Sequence, residues 1–356
     1  MSSIAELETF EHESARFDSL MAFRIENILL VSSLYDIYNL REDGQLTDML
    51  LSEYAEFRLS SAPAIRRVDS AASALKALEK SKYELVIVLR TLNDMDPADF
   101  SRQARALRPG IPVVLLAFHH RDLERVREHT APAFDNIFIW NGEPKMLLTI
   151  IKLVEDKVNV VADTDQVGVR VIILVENSVR FYSSYLPMLY TEVLEQTQSL
   201  MLEGINLSHR LLRMRARPKI LLATTFEEAW SWFERYKDSL LGVISDGRFP
   251  WAGDLVSNAG VSFIQQVKAA DPHMPTVLQS TNEDLRQEAR VLVDPAHHLG
   301  NALGVEARVA GVLAFGREDQ RHVSAYLEAL RLWLKKVPIH PHTKPKEAPF
   351  AATKQP

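Results

Sequence analysis

An apolar run that ends on a single acid is the feature that most constrains the fold of this chain. Residues 240–245 carry no charge, Asp246 follows them directly, and Pro250 closes the short loop beyond. A run this short and this apolar is typical of a buried strand in a parallel sheet. In open α/β sheets, ligands bind just beyond the carboxyl ends of the strands. The run therefore predicts a parallel α/β sheet and makes Asp246 the first candidate for chemistry.

Similar runs recur along the chain and alternate with stretches of helical character. They begin near residues 27, 64, 84, 112 and 136, and again near 169, 219, 240, 275 and 309. This alternation predicts parallel sheets with helices on both faces. The pattern occurs twice, with a period far longer than that of a solenoid repeat. We therefore expect an α/β fold with two doubly wound, parallel, five-stranded domains in tandem.

Changes in composition suggest the boundaries of these domains. We expect an N-terminal helical segment at 1–26, a first domain at 27–159, a linker at 160–168, a second domain at 169–337 and a disordered tail at 338–356. Apolar residues of the leading segment recur at helical intervals. We favour its packing on the first domain, and a role in forming a homodimer stays open.

Composition excludes several classes of function. The chain of 356 residues has no cysteine and a net charge of -6, which excludes thiol catalysis and Cys-based zinc sites and argues against nucleic-acid binding. We interpret the basic segment at 209–219 as a solvated helix end and loop. No apolar stretch is long enough to span a bilayer and no signal peptide is evident, so we expect a cytoplasmic protein without a membrane partner.

Three strand ends of the second domain carry polar groups. They hold Glu176 with Asn177, Asp246, and Ser280 with Thr281. Two acids and an amide could hold Mg²⁺ through oxygen ligands. A carboxylate beside such an ion can accept a phosphoryl group, and a hydroxyl could bond one of its oxygens. The alternative is that Asp246 only caps a loop and that Glu176 is solvated.

These residues resemble the receiver domains of two-component response regulators. Residues 173–177 (ILVEN), 243–250 with Asp246 and Pro250, and 275–281 (PTVLQST) are similar to receiver motifs. The resemblance implies that Asp246 is the phosphoacceptor and that Ser280 is the switch hydroxyl. It also implies a weak Mg²⁺ site formed by Glu176, Asn177, Asp246 and the main-chain carbonyl of Arg248.

The second domain departs from the receiver pattern at two positions. Asn177 replaces the second acid, which removes one charge from the metal site. No lysine follows the expected fifth strand, where Arg317 is a weak substitute because its planar guanidinium has a different geometry.

The first domain resembles a receiver whose site has been lost. Leu89 stands in place of the acceptor acid, Ser32 and Ser33 in place of the acid pair, and Ala117 in place of the switch hydroxyl. Trp140 lies near the lysine position. The resemblance therefore implies a pseudo-receiver.

A longer resemblance covers residues 179–198 and 209–230 together with 245–250 (SDGRFP). These segments are similar to tandem receiver-like modules that precede a phosphoenolpyruvate/pyruvate-binding domain of the pyruvate, phosphate dikinase type. No such domain is evident within this sequence, so we expect no dikinase activity and no enzymatic function.

Three functions follow from these observations. The first is a two-component signalling protein phosphorylated on Asp246 by a histidine kinase or phosphotransfer protein, with an unidentified output protein as its second partner. The second is a scaffold of two unphosphorylated receiver-like domains. The third and weakest is a small α/β hydrolase, because Arg248 occupies the place where an aspartate-nucleophile phosphatase would carry a second acid.

Overall fold

The computed structural model describes residues 20–33, 43–59, 61–118, 133–140, 142–202 and 216–279. These ranges contain two parallel sheets with helices packed on their faces, which confirms the predicted α/β class. The expected fifth strand of the second domain near 309–315 and the tail at 338–356 lie outside the described residues.

The first sheet has five parallel strands in the order β2-β1-β3-β4-β5. This is the flavodoxin-like order that the sequence predicts. The inner strands β3 and β4 are wholly buried, whereas β2 at the edge is partly exposed. The strands are β1 (Asn27–Val31), β2 (Ala64–Val68), β3 (Leu85–Leu89), β4 (Val113–Ala117) and β5 (Asn136–Ile139).

The helices of the first sheet are α1 (Asp43–Glu56), α2 (Ala71–Lys80) and α3 (Pro97–Leu107). Two of them begin at side-chain caps. The hydroxyl of Ser70 accepts a hydrogen bond from the backbone N–H of Ser73 at the start of α2, and Asp96 caps α3 in front of Pro97. Both starts follow the preference for small polar caps, and α3 also has a proline in its first turn.

The second sheet contains four described parallel strands in the order β11-β8-β6-β7. Reversed, this order matches β2-β1-β3-β4 of the first sheet. The parallel strands are β6 (Val171–Val175), β7 (Lys219–Ala223), β8 (Leu240–Asp246) and β11 (Thr276–Gln279). Their helices are α4 (Lys145–Val167), α5 (Val179–Leu202), α6 (Phe226–Tyr236) and α7 (Ala259–Ala270).

The loop after β8, which was predicted to be closed by Pro250, is instead a β-hairpin. Its strands are β9 (Phe249–Trp251) and β10 (Asp254–Val256), which pair antiparallel. Ala252 and Gly253 form the turn with φ of 53° and 90°, as a two-residue hairpin turn requires. The ring of Trp251 stacks on that of Phe226 with centroids 4.3 Å apart, so the hairpin is packed against the start of α6.

The predicted linker at 160–168 is helical, which corrects the sequence-based interpretation. Helix α4 continues without interruption to Val167 and ends at Gly168, whose φ of 73° is left-handed. Asp163, one of the polar residues that suggested a linker, is buried and accepts a hydrogen bond from the N–H of Met21. A partner so distant in the chain is not visible in local composition.

The predicted helix at 1–26 is also wrong for its described part. Residues 22–26 form no helix. The N–H groups of alternate residues from 21 to 25 donate to side-chain oxygens on α4 that are four residues apart. The pairs are Met21 with Asp163 (3.0 Å), Phe23 with Asn159 (2.9 Å) and Ile25 with Glu155 (3.1 Å). Four helical residues rise about 6 Å and two extended residues about 6.6 Å, so the two spacings match.

Helices α4 and α5 contribute to a core that both sheets share. One continuous hydrophobic cluster contains residues of β1, β3 and β4, of α4 and α5, and of one face of β6 and β7. The opposite face of the second sheet packs on α6, α7 and the hairpin. Among the described residues, no helix is both long and apolar enough to cross a membrane.

Candidate functional site

Two acids lie side by side at the carboxyl edge of the second sheet. Strands β6 and β8 are neighbours, and Val175 pairs with Ser245. Glu176 directly follows Val175 and Asp246 directly follows Ser245, and their exposed fractions are 2% and 7%. The structure therefore brings the two predicted acids to adjacent strand ends, and Glu176 is not solvated.

Glu176 is held at the start of α5. Its Oε1 accepts a hydrogen bond from the backbone N–H of Ser178 at 2.9 Å. Its own N–H donates to the carbonyl of Ala223 at the end of β7, also at 2.9 Å. The half-buried Asn177 stands between Glu176 and the helix. Glu176 is thus tied to the neighbouring strand by its backbone N–H and to the start of α5 by its carboxylate.

The backbone around Asp246 is packed tightly against α7. The N–H of Gly247 donates to the carbonyl of Gln279 at 2.9 Å, and the N–H of Gly260 donates to the carbonyl of Gly247 at 3.1 Å. A Cβ atom at Gly260 would lie 2.0 Å from the carbonyl oxygen of Asp246. Only glycine permits this approach. No local sequence pattern singles out Gly260.

Two further predicted site residues, Ser280 and Arg317, fall outside the described part of the chain. Ser280 follows β11, where Gln279 pairs with Asp246, but Ser280 itself lies outside the described residues. Arg317 also lies outside them. Arg248 is exposed and lies between β8 and β9, so its carbonyl is in the short connection that follows Asp246.

The oxygen atoms at this edge are chemically suited to a hard cation. Carboxylates, amide oxygens and main-chain carbonyls are the donors that Mg²⁺ accepts. Within the described ranges no three His, Asp or Glu side chains come together as a metal cluster. A cation bound here would therefore depend on Glu176 and Asp246, supplemented by the neutral oxygens of Asn177 and Arg248.

The same edge of the first sheet carries no acid at the corresponding positions. Val31 pairs with Val88 and Leu116 pairs with Leu89. By register, Leu89 corresponds to Asp246, Ser32 to Glu176, and Ala117 to Ser280. All three are fully buried. The register thus agrees with the alignment of the first site that was inferred from sequence.

Acids of the loop that follows β3 serve as helix caps. The two carboxylate oxygens of Asp94 accept hydrogen bonds from the N–H groups of Ala71 and Ala72, each at 3.0 Å. These backbone bonds lower the pKa of Asp94 below the ordinary aspartate value. The carboxylate of Asp94 therefore satisfies the first N–H groups of α2.

The basic segment contains two buried cations, contrary to the solvated loop that was predicted. Arg217 and Lys219 are 1% and 0% exposed. Arg217 forms a bidentate ion pair with Asp156 of α4, at 2.7 and 2.9 Å. Lys219 lies 2.7 Å from the carboxylate of Asp163. Both residues sit at the amino end of β7, so they are structural and lie opposite the acidic edge.

No family model matches this chain, and no curated protein matches it. Among solved structures, a CheY-like response regulator receiver domain from Methanospirillum hungatei JF-1 is 19% identical with a TM-score of 0.29, and the match covers 37% of this chain and 95% of that chain. A member of a family of redox sensors in the streptococci, described as evolved from two-component response regulators, is 18% identical with a TM-score of 0.31. That match covers 38% of this chain and spans about half of the sensor, 54%.

A third match extends over most of the chain. A "probable two-component system response regulator/GGDEF domain protein" is 15% identical with a TM-score of 0.33, covering 86% of this chain and 99% of that chain. At identities this low, the activities and partners of these proteins are not transferred to this chain. The resemblance to dikinase-associated modules stays a prediction.

Proposed function

We propose that this protein is a two-component signalling protein whose second domain accepts a phosphoryl group on Asp246. The observation that carries the proposal is the placement of two buried carboxylates, Glu176 and Asp246, at adjacent strand ends. This edge is where doubly wound sheets bind ligands. Carboxylate oxygens are the ligands that a hard divalent cation takes in proteins, so a cation is a fitting occupant.

The proposed reaction is a phosphoryl transfer to a carboxylate. An oxygen of Asp246 attacks the phosphorus of a phosphohistidine or of an acyl phosphate. A new P–O bond forms, and the bond to the donor breaks, releasing the imidazole or the free carboxylate. Mg²⁺ held by Glu176 and Asp246 would neutralise charge on the transferred group. Asn177 contributes an oxygen but no charge, so this binding should be weak.

In this proposal the first domain is a pseudo-receiver that acts through contacts with protein. Leu89, Ser32 and Ala117 supply no carboxylate for a metal and no acceptor for a phosphoryl group. Asn177 also supports a second candidate function, in which the whole chain is an unphosphorylated scaffold. The two candidates differ in one measurable property, which is whether Asp246 becomes phosphorylated.

Labelling with a small acyl phosphate tests the proposal. We expect one phosphoryl group on Asp246 of the purified protein in the presence of Mg²⁺, located by mass spectrometry, and its loss in Asp246→Asn or after chelation of the metal. Asp254→Asn, which alters an exposed acid of the neighbouring hairpin, is the matched control and should label normally. Label that persists in Asp246→Asn, or that is absent from the wild type, contradicts the proposal.

A further inference from the structure

Helix α5 of the second domain contacts the edge strand of the first domain. Strand β5 stands at the end of its sheet. The hydroxyl of Tyr182 donates to the carbonyl of Ile137, and the N–H of Ile139 donates to Oγ of Ser183 at 3.0 Å. The ring of Phe138 meets that of Tyr182 edge to face, with centroids 5.5 Å apart. Both side chains of α5 are buried in this contact.

The residues that make this contact lie within two helical turns of the acidic edge. Glu176 Oε1 accepts from the N–H of Ser178. The carbonyl of Ser178 in turn accepts from the N–H of Tyr182 at 3.0 Å. Three successive hydrogen bonds therefore run from the carboxylate of Glu176 to the backbone of β5 at Ile137.

A proline separates this part of α5 from the rest of the helix. Pro187 lies inside α5 and has no N–H, so the carbonyl of Ser183 lacks its usual helical donor. Proline positions are common sites of bending in helices. The first two turns of α5, between Glu176 and Pro187, can thus shift with less disturbance of the remaining helix.

We propose that the first domain is the partner, within the same chain, that responds to phosphorylation of Asp246. The inference rests on the proposed function of Asp246. When a metal ion and a phosphoryl group draw on the Glu176 carboxylate, its bond to Ser178 weakens. The first turn of α5 then loosens, and with it the bonds to Ile137 and Ile139.

Hydrogen exchange at the amide of Ile139 measures this effect. We expect its exchange to become about fivefold faster or more when the full chain is labelled by the acyl phosphate in Mg²⁺, which is the lower end of typical couplings between sites. In Ser183→Ala the amide loses its acceptor, so exchange should be fast with or without label. Ser184→Ala is the matched control, because Ser184 is exposed on the same helix and bonds only its own turn.

The possible outcomes separate this inference from the proposed function. Label on Asp246 with unchanged exchange at Ile139 overturns the inference and leaves the proposed function intact. Absence of label overturns both. A response in Ser184→Ala but not in Ser183→Ala supports the route through Ser183, whereas an equal response in both variants contradicts it.

Discussion

Gly260 sets how closely α7 approaches the strand end that carries Asp246. Its missing side chain leaves room for the carbonyl of Asp246, which would otherwise meet a methyl group at 2.0 Å. The atom in the way belongs to the backbone, so it cannot turn aside as a flexible side chain would. The position of Asp246 therefore depends on the absence of a side chain at Gly260.

We predict that Gly260→Ala destabilises the protein by about 1–3 kcal/mol, the usual cost of overpacking. It should also reduce phosphoryl labelling of Asp246, because either β8 or α7 must move. Thermal unfolding and labelling yield measure the two effects. Gln265→Ala, on the exposed side of the same helix, should change stability by no more than about 0.5 kcal/mol. Unchanged stability in Gly260→Ala would show that the helix can shift freely.

Leu89 offers the converse experiment in the first domain. We predict that Leu89→Asp lowers thermal stability and creates no phosphorylation site, because Leu89 is fully buried with Ser32 and Ala117 at the neighbouring strand ends. An unpaired buried acid costs on the order of a few kcal/mol and tends to protonate. The measurement is acyl phosphate labelling of Leu89→Asp on an Asp246→Asn background. Label at position 89 would mean that the first site is still competent.

These residues also show how much of the site could be predicted from sequence. Asp246, Glu176 and Leu89 could be assigned to strand ends because such ends are marked by a change from apolar to polar residues, and parallel strands bring those ends together. Gly260 could not be found in that way. Its role depends on the distance between a helix and a strand end, and no local pattern records that distance.

Among the elements, α4 differs most from its sequence-based interpretation. Polar residues at 160–168, among them Asp163, suggested a linker after the helix. Asp163 is instead spaced with Glu155 and Asn159 to pair with an extended segment more than a hundred residues away. Basic residues near a strand are usually solvated, and Arg217 and Lys219 were interpreted accordingly. The structure shows that both residues are buried instead, because α4 supplies their carboxylate partners.

The Asp156–Arg217 pair gives a prediction at this scale. Burial disfavours the charge of Arg217, yet Asp156 outweighs it and the pKa of Arg217 is raised above the ordinary arginine value. Burial lowers the pKa of Lys219 despite the same acid. We predict that Arg217→Met destabilises the protein by about 3–5 kcal/mol, because the buried Asp156 loses its bidentate cation. Asp156 keeps hydrogen bonds from Tyr190 and Ile220 and the more distant Lys219.

Chemical denaturation of that variant checks the prediction against a matched control. Arg235→Met removes an ion pair between α6 and Asp165, which lies on α4 as Asp156 does. Both side chains of that pair are more than half exposed. Its effect should be at most about 1 kcal/mol. Equal effects of the two substitutions would contradict the structural role assigned to the buried pair.

At the scale of the whole molecule, two sheets share one core. The cluster around α4 and α5 takes residues from both sheets, so the two sheets bury apolar side chains against the same two helices. The strand pattern indicates two domains, whereas the packing joins them. The repeated strand pattern in the sequence reveals the two domains. The shared core cannot be found in that way, because it depends on which helix faces contact both sheets.

We therefore predict that both domains unfold in a single transition. Fluorescence of a variant that keeps Trp140 as its one tryptophan reports on the first domain, where Trp140 is 8% exposed at the end of β5. Its denaturation midpoint should coincide with that of a variant that keeps Trp251, which reports on the second domain. Coincidence of probes is the expectation for a two-state unit. Two separate midpoints would show that the domains are stable independently.

The cover that α5 provides for β5 also has a consequence during synthesis. A ribosome releases the first sheet before it has made α5, and at about 5–20 residues per second the delay lasts seconds. Throughout that interval the polar backbone groups of Ile137 and Ile139 face water or another nascent chain, and open strand edges invite such pairing. The rate of translation between β5 and the end of α5 thus sets how long the open edge of β5 can pair with other nascent chains.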